Sequence, residues 1–125
     1  MNAAAIYNRT QAETADPERV MLLLMDGALA RVRRGIAALE QGLRSDAADS
    51  LTRASEIVLE LRGSLDHERA PEICEQLSGL YVFVSTRLTR AAASADPALA
   101  REAEGALAPI VDAFHQAVVK VRAGQ

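Results

Sequence analysis

Residues 46–65, DAADSLTRASEIVLELRGSL, bring Ala47, Leu51, Ala54, Val58, Leu61 and Leu65 back at steps of three and four. That rhythm lines one face of an α-helix and cannot line one face of a strand, whose side chains alternate. The same period continues on either side. Upstream, Met21, Leu24, Ala28, Val32, Ile36, Leu39 and Leu43 form a stripe. Downstream, Ile73, Leu77, Leu80, Val84 and Leu88 form a third; Leu99, Ala103, Ala106, Ile110, Phe114, Ala117 and Val121 form a fourth. Four apolar stripes can bury one another, so the expected fold is an all-α antiparallel four-helix bundle.

Start signals divide the chain at matching places. Asp16-Pro17-Glu18 and Asp96-Pro97 each set a capping carboxylate before a proline at the first helical position. Ala70-Pro71-Glu72 gives a proline start without the cap, and Ser45 and Asp46 offer caps after Gly42. The expected helices are 17–42, 46–65, 71–93 and 97–122, joined by short connections. Residues 1–16 read as an N-terminal strap and 17–125 as one helical domain. Pro109 lacks a backbone donor and is expected to kink or split the last helix.

Composition agrees. The chain has 125 residues, 50% of them hydrophobic and only 3% aromatic, with 25 Ala and 15 Leu. Such a mixture favours helix and starves a sheet. A net charge of −3, with acidic and basic residues interspersed, argues against a nucleic-acid surface. The run Arg31, Arg33, Arg34 reads as a solvated helix flank. The one cysteine, Cys74, forbids an internal disulfide and fits a reducing compartment. The longest apolar run, Val20 to Met25, is far too short to cross a membrane, and no signal peptide is recognised at the start. A soluble, cytoplasmic protein without membrane insertion is expected.

Residues that miss the stripes carry more information. At about 100° per residue, Leu23 points nearly opposite the first stripe and Leu22 well to its side. Leu59, Val82 and Phe83 turn away likewise. Five such residues on three helices suggest a second apolar surface needing a cover, and Ile6-Tyr7 is a candidate for it. Asp26-Gly27 interrupts an apolar run; the glycine would admit a close neighbour and the aspartate would tie to the N-terminal segment or to an arginine.

No enzymatic constellation is present: no glycine-rich phosphate loop, no GxSxG, and only two histidines. Asp112-Ala-Phe-His115 is a single metal-style spacing, short of a di-iron set. No cofactor is expected. A helical dimerisation or adaptor module, or a phosphotransfer domain using His115, are the alternative readings.

Several stretches, taken together, resemble the flagellin export chaperone family, FliS. They are Tyr7-Asn8-Arg9-Thr10-Gln11, Thr14 to Arg19, Val20 to Ala28, Glu60 to Glu68 and Leu77-Ser78-Gly79-Leu80-Tyr81. The resemblance covers residues 6–120. It implies a non-enzymatic cytoplasmic bundle that holds the disordered C-terminal segment of flagellin in apolar grooves, blocks premature polymerisation and assists delivery to the export gate. It also implies that the segment around Tyr7 can lie over a groove and give way to the client. On this reading Ile6, Tyr7, Leu22, Leu23, Met25, Leu59, Tyr81 and Phe83 border the partner surface, and Asp26 and Gly27 position the strap. Met25 stands where the family has tyrosine, and Phe114 matches a common tryptophan.

Overall fold

The computed structural model describes residues 16–124. The proposed strap, with Ile6 and Tyr7, lies outside them. Four helices follow in order: α1 (Pro17–Glu40), α2 (Arg44–Gly63), α3 (Pro71–Ser94) and α4 (Pro97–Ala123). Each packs on its neighbours in sequence, and α4 returns to α1, closing a square of antiparallel helices with no strand among the described residues.

The helix starts form for the reasons the sequence suggests. Asp16 accepts a hydrogen bond from the Arg19 amide at 3.2 Å, and Asp96 accepts one from the Ala98 amide at 2.9 Å. Proline follows both caps, where its missing N–H costs nothing. Helix α2 begins earlier than expected: Leu43 is its N-cap, without a side-chain bond, and neither Ser45 nor Asp46 caps it. Gly42, at φ +77°, supplies the left-handed residue that turns α1 into α2. Helix α4 is unbroken across Pro109, so the expected split does not occur.

The core is built from Met25, Val32, Leu51, Val58, Leu61, Tyr81, Val84, Leu88, Leu107 and Val111, with alanines between them. The α2 stripe is buried from Ala47 through Leu61. On α3 the expected Val84 and Leu88 are buried and Leu77 packs against the core, but Ile73 and Leu80 are not part of the inward face. Cys74, Tyr81, Val84 and Leu88 are buried, whereas Ile73 is 61% exposed and Leu80 41%. On α4 the buried set is Ala100, Ala103, Leu107, Val111 and Val118; the expected Val121 is exposed and Ile110 and Phe114 are half-buried. Leu43, placed on the α1 stripe, is exposed in the α1–α2 turn.

Close approach between α1 and α2 depends on Gly35. A Cβ added there would meet the buried side chain of Leu51, its Cγ 2.6 Å away. Gly27, the glycine expected to admit a neighbour, has no atom of the described residues within 4 Å of such a Cβ.

Candidate partner-binding surface

Polar ties are unevenly shared among the four helix–helix seams. Along α1–α4, four pairs ascend one helix as they descend the other: Asp16–Arg122 at 2.8 Å, Asp26–His115 at 2.7 Å, Arg33–Glu104 at 2.9 Å, and Glu40–Arg101. Between α2 and α3, the buried hydroxyls of Ser55 and Ser85 meet at 2.8 Å, and Arg62 donates to Ser78 at 2.9 Å. Ser50 donates to the Arg31 carbonyl across α1–α2 at 2.9 Å. The α3–α4 seam has one tie among the described residues, Arg87–Glu102 at 2.8 Å.

That seam is the apolar one. The Arg87 guanidinium stacks over the Phe83 ring, 4.7 Å from its centroid, and Phe83 is half in solvent. Moving turn by turn away from Arg87–Glu102, α3 presents Phe83, Leu80 and Ile73 toward α4, and α4 presents Ala106, Ile110, Ala117 and Val121 toward α3. Ile73, Leu80, Phe83 and Val121 are exposed, while Ile110 is partly sheltered against the core. Sequence periodicity placed Ile73, Leu80, Ile110 and Val121 inside the bundle. The Arg87–Glu102 tie marks the register in which they line up along a seam.

The other expected surface residues fall elsewhere. Leu23 is 56% exposed on the outer face of α1, and Leu22 is half-buried on the flank toward α4. Leu59 sits between Ser55 and Arg62, and Val82 between Ser78 and Ser85, so this apolar pair flanks one stretch of the α2–α3 seam. The exposed apolar residues therefore form no single trough; they mark three sides of the bundle. Met25 and Tyr81 are core residues, at 4% and 2% exposure, and cannot border a partner as exposed contacts. Burial pushes the Tyr81 phenol above its ordinary pKa.

Asp26 ties α1 to His115 of α4 and, among the described residues, to no arginine; the N-terminal segment expected as its other partner lies outside them. The same contact bears on phosphotransfer: the Nε2 edge of His115 already faces a carboxylate, whose charge repels an incoming phosphoryl group. Among the described residues, no three His, Cys, Asp or Glu side chains come together as metal ligands, and no helix is long and apolar enough to cross a membrane.

Residues 1–121 match the FliS family, described as flagellar protein FliS. The flagellar secretion chaperone FliS of Vibrio cholerae is 33% identical over 88 residues, 70% of this chain and 65% of that protein. The Salmonella typhimurium protein of that name is 34% identical over 104 residues, 82% of this chain and 77% of the relative. The Bacillus subtilis one is 27% identical over 121 residues, 97% of this chain and 90% of its own length. A match along nearly the whole chain, joined to a closed helical square with apolar seams left open, places the protein: it belongs to the FliS family, a family of chaperones and not of enzymes.

Proposed function

We propose that this protein is a cytoplasmic flagellar export chaperone that holds the C-terminal segment of flagellin against its apolar seams, prevents premature polymerisation and assists delivery to the export gate. One observation carries the reading: large apolar side chains remain exposed on three sides of a bundle whose core is already closed. Single exposed leucines are ordinary, but Ile73, Leu80, Phe83 and Val121 follow one seam in sequence.

Their distribution suits an extended client better than a single docked helix. A segment disordered on its own can lay apolar residues on the α3–α4 seam, pass to Leu59 and Val82, and reach Leu22 and Leu23. Binding then buries much area while ordering of the client subtracts from affinity. Met25 and Tyr81 support these surfaces from beneath. Ile6 and Tyr7 are assigned the covering role, yielding when the client arrives, and Asp26 and Gly27 the positioning of that cover.

Co-purification with intact flagellin and with flagellin lacking its C-terminal segment tests the assignment. Recovery of the intact client alone is expected. Equal recovery of both would defeat the assigned segment.

A further inference from the structure

Where α1 turns into α2, a cleft of about 480 Å3 lies between the two helices. Arg31 and Arg34 of α1 and Arg53 of α2 line it. Arg33, beside Arg31 and Arg34 in sequence, is taken up by Glu104, but none of the three lining arginines is in an ion pair with a described residue. The lining also holds an apolar portion, Ala37 with the 47% exposed Leu43, and two carboxylates on α2, Asp46 and Asp49. Three guanidiniums against two carboxylates leave one net positive charge at this spot, on a chain whose total is −3.

Each feature selects for a partner. Guanidiniums bind carboxylates in a forked, charge-assisted geometry. The exposed leucine offers an apolar contact beside them. Asp46 and Asp49 repel a continuous polyanion, which excludes a nucleic-acid strand and accepts a peptide whose acidic groups are spaced by uncharged residues. We propose that this cleft is a docking site for an acidic, partly apolar peptide segment of a second protein partner. The α1–α2 seam is opposite α3–α4 in the helical square, so both surfaces can be filled at once. That simultaneity rests on the chaperone reading above; the cleft's own chemistry does not.

The probe is a short fluorescein-labelled peptide of repeating Glu-Leu-Ser, titrated into the full chain and read by anisotropy, with backbone amide shifts mapped by NMR. Shifts should cluster in residues 31–53. The variant Arg31→Gln/Arg34→Gln/Arg53→Gln should bind about tenfold or more weakly, since each lost charged hydrogen bond removes a sizeable share of affinity. Arg34→Gln/Arg53→Gln, which changes exposed side chains only, gives a smaller loss in the same direction and serves if the triple variant misfolds. Oligoglutamate and inorganic phosphate should compete poorly.

Unchanged binding by the variants, shifts elsewhere, or oligoglutamate binding as tightly as the probe would each overturn the proposal. Saturating flagellin should leave probe affinity within about twofold, and displacement of the probe by flagellin would overturn simultaneous occupancy. Flagellin capture is measured on the same preparation. Its failure refutes the chaperone reading while the probe titration still decides the cleft.

Discussion

Gly35→Ala adds a single methyl group where α1 packs against Leu51 of α2. The new Cβ would sit 2.6 Å from Leu51 Cγ, whereas carbon atoms rest about 3.5–4.0 Å apart. Roughly 1 Å of separation must therefore be created. Leu51 is fully buried in the close-packed core and has no free space to swing into, so the helices must part or the leucine must leave its rotamer. Overpacking of this kind costs about 1–3 kcal/mol, and alanine's better helix propensity returns about 1 kcal/mol. The net loss lies between about 0 and 2 kcal/mol, a drop of up to roughly 8 °C in melting temperature for a domain of this size. Gly105→Ala is the control: Gly105 is exposed on α4, with no atom of the described residues within 4 Å of its added Cβ. It should melt a few degrees higher than wild type. Thermal denaturation followed by circular dichroism reads both. Adding Leu51→Val to Gly35→Ala should cost less than the two changes summed, because the smaller side chain makes room for the methyl. A Gly35→Ala protein that gains as much stability as Gly105→Ala would refute the reasoning.

Three further outcomes follow from the core and its caps. Because burial raises the Tyr81 pKa above 10.0, the folded state holds that proton more tightly; the resulting stability is full below pH 10 and falls as pH climbs through the raised value. Tyr81→Phe should flatten that alkaline decline in denaturant titrations, and an unchanged decline would contradict it. Ser55→Ala leaves the buried Ser85 hydroxyl without its 2.8 Å partner and should cost about 1–2 kcal/mol. Ser55→Ala/Ser85→Ala should cost less than the two single losses summed, and strict additivity would show that the hydroxyls do not act as a pair. Ala95 ends α3 at φ +53°, a conformation that is costly for alanine and free for glycine. Ala95→Gly should raise the melting temperature, and a lowered one would show that this turn is not strained.

The helices were legible because their signals are local. A carboxylate before proline caps a helix whatever surrounds it, and both Asp-Pro starts did so. The α2 stripe was read correctly because its members, Ala47, Leu51, Ala54, Val58 and Leu61, recur at unbroken steps of three and four. On α3 the spacing places Leu77, Val84 and Leu88 correctly and fails at Ile73 and Leu80. Ile73 and Leu80 outrank Cys74 and Tyr81 in hydrophobicity, yet the helix turns the latter pair inward and leaves the former along the seam with α4. On α4, two apolar stripes lie side by side, and the one chosen from spacing faces α3 more than the centre.

Angular arithmetic found Leu23, Leu59, Val82 and Phe83 as outward residues, since that needs only one helix at a time. It could not say that they belong to different seams, which depends on how the helices are set against one another. Gly35 escaped notice for the same reason: its partner, Leu51, is on another helix.

The most direct test of the central claim is the affinity of Leu23→Asp/Phe83→Asp for flagellin, beside its helicity. Both side chains are exposed, so the folded bundle should survive with unchanged circular dichroism. Binding should fall by about tenfold or more, as charges replace apolar contacts on two sides of the molecule. A well-folded double variant that binds flagellin as tightly as wild type would contradict the claim that these seams receive the client.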